Sequence, residues 1–172
     1  MEPYLWLFPV LFIFHDFEEI IGFRWWLDRN KDILQTCFPR FFKQFDNYTT
    51  EGFALAVFEE FVVCSIGSAL AVYVGTPLLL YIWLGGFIGF TFHLFVHIVQ
   101  SVVLRKYIPA LITSVLTLPV CVYIVYQCFS ADTCIDVTAI VGLAVGFAAV
   151  FVNLIFALRL MWVYNNRSRK DN

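Results

Sequence analysis

The chain has 172 residues, 61% of them hydrophobic and 14% charged, whereas a soluble domain is about 45–50% apolar and about 25% charged. That balance excludes an ordinary soluble globular protein and predicts an integral membrane protein, with the lipid bilayer as its first partner and no nucleic acid among the others. The net charge of −2 decides little, because what matters in a membrane protein is where the charges lie.

Met1 to Pro3 carry no basic leader, and the first apolar run holds an acidic motif, so a cleaved signal peptide is not expected. Five apolar segments reach the roughly 20 residues a spanning helix needs: residues 4–23, 52–75, 77–104, 109–128 and 137–158. The predicted fold is all-α, a single membrane domain of five transmembrane helices. Residues 24–50 form an interfacial helical segment between the first and second spans, and residues 159–172 form a tail. Only Gly75-Thr76-Pro77 separates the second and third spans, which predicts an antiparallel hairpin. Residues 24–50 mix Trp25, Trp26, Phe38, Phe41, Phe42 and Phe45 with basic side chains, and Pro39 interrupts them. They read as one or two helices with aromatics at headgroup level, or alternatively as a lid over a site.

Lys and Arg set the orientation. Arg24, Arg29, Lys31, Arg40 and Lys43 follow the first span, Arg105 and Lys106 the third, and Arg159, Arg167, Arg169 and Lys170 the fifth; these are all eleven in the chain. With five spans they share one side. The expectation is a cytoplasmic C-terminus and an external N-terminus, in a bacterial cytoplasmic membrane. Cys64 and Cys121 fall inside spans as small packing residues. Cys128 and Cys134 flank the predicted outer loop, where an oxidising compartment would let them pair as a disulfide.

The anomaly is His15-Asp16-Phe17-Glu18-Glu19, which sets three carboxylates and an imidazole inside the first span. Each charge at the centre of a spanning helix costs roughly 2.5–3.5 kcal/mol on insertion scales, so these groups need partners. His15, Glu18 and Glu19 follow i, i+3, i+4 spacing and share a face. The second span carries Glu59-Glu60. On the third, Gly85, Gly89, His93 and His97 form one i, i+4 row, whose glycines let a neighbouring helix approach. All three groups lie within about eleven residues of a predicted cytoplasmic helix end, or ~16 Å at about 1.5 Å per residue. Gln100, Thr113, Ser114, Thr117 and Asn153 reach a similar depth.

Three His and up to four Glu at one depth form an inventory for metal binding. The expected ligands are His15, Glu18, Glu19, Glu60, His93 and His97. Glu59 is an additional ligand or the general base, and Asp16, Gln100, Thr113 and Asn153 are supporting hydrogen-bonders. The expected cofactor is iron or zinc, one or two ions per chain. The competing reading is a metal-free network of His–Glu pairs.

The motif His15-x-x-Glu18-Glu19 resembles the signature of the HXXEE family of small membrane proteins. So does a downstream block: His93-x-x-x-His97-Ile98-x-x-Ser101, then Arg105-Lys106, Tyr107-x-Pro109, Thr113 and Leu118-Pro119. The resemblance covers most of the chain and marks His15, Glu18, Glu19 and His97 as signature positions, without implying an activity. The family pattern prefers Gly after Pro109. Ala110 stands there, which predicts a less kinked helix start.

The functional expectation is an intramembrane metal-dependent enzyme acting on a lipophilic molecule by oxidation or hydrolysis, with oxidation favoured by the carboxylates. The alternatives are a metal-ion or proton transporter, and a non-catalytic binding protein stabilised by a metal. The GxxxG pairs Gly85/Gly89 and Gly142/Gly146 read as internal packing, with homo-oligomer contacts as the alternative.

Overall fold

A computed structural model describes residues 1–39, 45, 48–130 and 136–168. After a 3₁₀ turn at Glu2–Tyr4, the described residues form six α-helices: α1 (Leu7–Arg29), α2 (Lys31–Cys37), α3 (Thr50–Tyr73), α4 (Pro77–Leu104), α5 (Leu111–Ser130) and α6 (Val137–Ser168). No strand occurs among the described residues. Helices α3, α4, α5 and α6 are long and apolar enough to cross a membrane. α1 is 23 residues long but carries the acidic motif, so among the described residues four of the five expected spans meet that standard by length and composition.

Local chemistry sets the helix ends. Thr49 accepts from Gly52 N at 3.0 Å and starts α3. Thr76, followed by Pro77, accepts from Leu79 N at 3.4 Å and starts α4. Asp136 accepts from Ala139 N at 2.8 Å and starts α6. α4 stops at Arg105, whose φ of 50° turns the chain, while Lys106 N returns to Ser101 O at 3.2 Å. Two helices outrun the predicted spans: α1 continues beyond Phe23 to Arg29, and α6 continues beyond Leu158 to Ser168. Polar residues end an apolar span but not a helix, and neither extension contains Pro.

Side-chain bonds tie five helix ends together. Trp26 Nε1 donates to Tyr107 O at 2.7 Å, and Lys106 Nζ donates to Asn30 Oδ1 at 2.9 Å. Thr49 Oγ1 donates to Asn165 Oδ1 at 2.6 Å, and Arg24 donates to Tyr48 O at 2.8 Å. The C-terminal ends of α1, α4 and α6 therefore meet the N-terminal ends of α3 and α5 at one end of the bundle. Every described Lys and Arg lies in or beside this end. A buried cluster of Trp26, Leu27, Leu34, Tyr48, Ile108 and Met161 closes it; of residues 24–50, those at 40–44 and 46–47 lie outside the description.

The main core joins α1, α4 and α5 through Phe8, Phe12, Leu84, Phe87, Leu94 and Ile124. Trp83 stacks on Phe87 at 5.2 Å, and Phe8 meets Phe87 edge-on at 5.5 Å. The most extensive contact between described helices is that of α4 with α6. There a Cβ on Gly146 would overlap Ile82 O, and one on Gly85 would overlap Leu143 O. Both GxxxG pairs are thus used inside the bundle. The hairpin expectation needs a correction: α3 and α4 are joined by the short turn at Val74–Thr76, but they touch only slightly, and α3 packs mainly on α6 and α1. The space this leaves is a cavity.

Cys121 and Cys128 are buried free thiols, and Cys64 lines the cavity. The expected partner of Cys128, Cys134, lies outside the described residues.

Candidate metal centre

Successive residues on a helix point about 100° apart, so adjacent motif residues can serve different neighbours. On α1, Glu19 turns toward α4 and Glu18 toward α5. His15, one turn earlier, sits between them with no exposed surface. On α4, the i, i+4 spacing brings the rings of His93 and His97 to 4.3 Å between centroids. The His15 ring lies 5.6 Å from His93 and 5.3 Å from His97.

One ligand atom from each of His15, Glu19, His93 and His97 lies within 4.8 Å of the other three. His97 Nε2 is 2.8 Å from His93 Nε2 and 3.2 Å from Glu19 Oε1. One nitrogen thus has two close neighbours, and a single proton can lie toward only one of them. Around a zinc ion with ligands at about 2.0–2.1 Å, tetrahedral donors stand about 3.3 Å apart. The two contacts of His97 Nε2 are already near that spacing, and no pair of the group stands more than about 1.5 Å beyond it. His15 Nε2 has no hydrogen-bond partner although it is buried, a costly arrangement for a polar atom unless something is bound there. Three imidazoles and a carboxylate suit zinc and iron alike.

The other expected site residues are placed as follows. Glu18 stands apart from the group of four and reaches α5. Its Oε2 accepts from Thr113 N at 2.7 Å and Thr113 Oγ1 at 2.6 Å. Its Oε1 accepts from Tyr107 OH at 2.6 Å and Ile112 N at 3.3 Å. It thereby satisfies the otherwise open amides at the start of α5. Glu60, on α3, lines the cavity and also lies outside the group of four. Glu59 points to α6, where Asn153 Nδ2 donates to its Oε2 at 3.4 Å. Asp16 is buried and lines the cavity with Glu19 and Glu60, and its Oδ2 has no hydrogen-bond partner. Gln100 is exposed beside His97. Thr113 bonds His15 Nδ1 at 3.0 Å.

Two participants, Tyr107 and Ala110, were named from the sequence only within the family resemblance, with no role at the site. Tyr107 follows the basic pair after α4, where the resemblance places it in the downstream block without giving it a task. Burial and the Glu18 contact hold its hydroxyl well above the usual tyrosine range. Ala110 adopts φ 104° and is fully buried. The expected less kinked start is therefore corrected: the chain keeps a glycine-type turn although Ala occupies it, because this turn aims the Ile112 and Thr113 amides at Glu18.

The cavity holds about 220 Å³ between α1, α3, α4 and α6. Asp16, Glu19, Glu60, His93 and Asn153 supply its polar end, and among the described residues no Lys or Arg lines it. The remainder is Phe, Leu, Ile, Val and Trp side chains with small residues. Val63 and Leu70, each 44% exposed on α3, mark the side on which it faces the outside of the bundle.

No curated protein and no solved structure gives a significant match to this chain. The model of one family, described as protein of unknown function with HXXEE motif, matches residues 6–124, more than half of the sequence. The matched region contains the motif, both α4 histidines, Tyr107 and Thr113, and the chain belongs to the HXXEE-motif family.

Proposed function

We propose that the protein is an intramembrane metalloenzyme whose metal is held by His15, Glu19, His93 and His97 and whose substrate is a lipophilic molecule in the adjoining cavity. The observation that carries this reading is the convergence of four ligand atoms within 4.8 Å, with Glu19 and His93 also lining an apolar cavity. A bound metal would supply Lewis acidity or redox chemistry at the cavity's polar end. The residues of the chain do the rest. Phe8, Phe12, Phe53 and Phe90 exclude water and hold an apolar chain, while Glu60 and Asp16 face the substrate's polar end as hydrogen-bond acceptors or a base. Oxidation fits the donor set better than hydrolysis. Four protein donors complete a tetrahedral zinc site, whereas iron with the same four keeps open positions. One group of four among the described residues supports one ion per chain.

Conduction of ions is the weaker reading, because the cavity's charged residues gather at one end and the rest of its lining is apolar. The clustering of described basic residues at the end nearest the site supports placing that end in the cytoplasm, with the N-terminus outside.

The substrate half is tested with Gly67→Phe. Gly67 lines the cavity, and a Cβ there meets nothing within 4 Å, so the new ring fills the space without moving a helix. Native mass spectrometry should find a lipophilic molecule bound to the wild type and absent from the variant, with metal content equal in both. Equal retention by both proteins refutes the cavity as its binding place.

A further inference from the structure

Glu18 and Thr113 do more than join two helices. The Thr113 hydroxyl has one proton and four oxygen or nitrogen neighbours: Glu18 Oε2 at 2.6 Å, His15 Nδ1 at 3.0 Å, Ala110 O at 3.3 Å and His15 O at 3.5 Å. The carboxylate contact has the length of a charge-assisted O–H···O⁻ bond. Glu18 accepts four hydrogen bonds in all, the full capacity of an ionised carboxylate. The hydroxyl proton therefore goes to Glu18, and the oxygen turns a lone pair toward His15. Nδ1 must then be the protonated nitrogen of that ring, which leaves Nε2 with a free lone pair. Nε2 is buried and unpartnered, and with Nδ1 engaged by Thr113 it is the nitrogen His15 has left to offer the group of four.

We infer that Glu18 and Thr113 form a positioning chain that holds His15 as its Nδ1–H tautomer and so makes Nε2 a metal ligand, with Glu18 itself outside the coordination sphere. The inference rests on the metal reading above for its purpose, but the tautomer is measurable without metal. It gives the motif's two adjacent glutamates separate tasks: Glu19 binds, and Glu18 orients the residue that binds beside it. Orienting partners of this kind typically change metal affinity by roughly 10- to 100-fold.

The test has two arms. In metal-free, detergent-solubilised protein with ¹⁵N-labelled histidine, ring ¹⁵N shifts, assigned through His15→Gln, should show His15 protonated at Nδ1. Thr113→Ser should preserve that state, and Thr113→Val, which keeps the shape and removes the hydroxyl, should abolish its dominance. In the second arm, cobalt(II) titration followed by visible absorption should give an affinity roughly 10- to 100-fold weaker for Thr113→Val and near wild type for Thr113→Ser. A wild-type His15 protonated at Nε2 overturns the inference even if Thr113→Val fails to fold. Unchanged cobalt affinity in a folded Thr113→Val also overturns it. A folded wild type that binds no cobalt but shows the Nδ1–H form contradicts the metal reading and supports the chain.

Discussion

The α4–α6 contact fixes where His93 and His97 stand, and Gly146→Ala probes it. The added Cβ would overlap Ile82 O and lie 2.8 Å from Gly86 N. Both atoms are backbone, so no rotamer change relieves the clash, and α6 must move away from α4 by about 1 Å. A gap of 0.5–1 Å forfeits about a quarter to a half of each dispersion contact, and overpacking typically costs about 1–3 kcal/mol. Because the helices persist in the membrane-unfolded reference state, the higher helix propensity of Ala offsets little of this. Gly67→Ala is the control, since its Cβ meets nothing within 4 Å. Thermal unfolding in one detergent, read by circular dichroism, should show Gly146→Ala destabilised by about 1–3 kcal/mol and Gly67→Ala within about 0.5 kcal/mol of wild type. Equal stability of all three proteins would refute the close α4–α6 packing. Loss of a dimer with unchanged monomer stability would assign the glycines to an oligomer contact instead.

Other expectations follow from single contacts. Ala110→Gly removes a strain of about 1–3 kcal/mol and loses a buried methyl worth about 0.8 kcal/mol. It should therefore be neutral to slightly stabilising in the same melt, while Ala110→Val, branched at φ 104°, should be strongly destabilising. Trp26→Phe loses the 2.7 Å bond to Tyr107 O and should cost about 1 kcal/mol; no change would show that this bond does not fasten the α1 end. Tyr107 should give a signature at high pH. Its folded form holds the proton above the ordinary range because of burial first and Glu18 second. Above about pH 10 the unfolded state binds fewer protons than the native one, so stability falls as pH rises. Tyr107→Phe should flatten that alkaline slope in a pH series of melts, and an unchanged slope would contradict the assignment.

Much of the centre was legible because helical spacing is rigid. His93 and His97 at i, i+4 had to share a face, and the residue count from the basic helix ends put His15 and Glu19 at the same depth. Glu18 was harder to place. The i, i+3, i+4 rule puts it on the same broad face as Glu19, but 100° is enough for α5 to capture it, and its captors include two backbone amides that no composition reveals. Glu59 and Glu60 share a depth with the histidines, yet α3 leans on α6 and leaves the cavity between itself and α4. A three-residue turn fixes connectivity, and helix–helix packing decides the rest. Ala110 is the plainest case of context over propensity: an L-residue holds a glycine conformation because Glu18 gathers the amides that follow it.

The central claim is that His15, Glu19, His93 and His97 bind a metal ion in the membrane. It is tested most directly by elemental analysis of protein purified without chelators, wild type beside His97→Ala, with folding of both checked by circular dichroism. About one ion per wild-type chain and a large loss in the folded variant are expected. Iron would favour the oxidative reading, and zinc would favour a closed structural site or hydrolysis. No metal in either protein, or equal metal in both, would contradict the central claim.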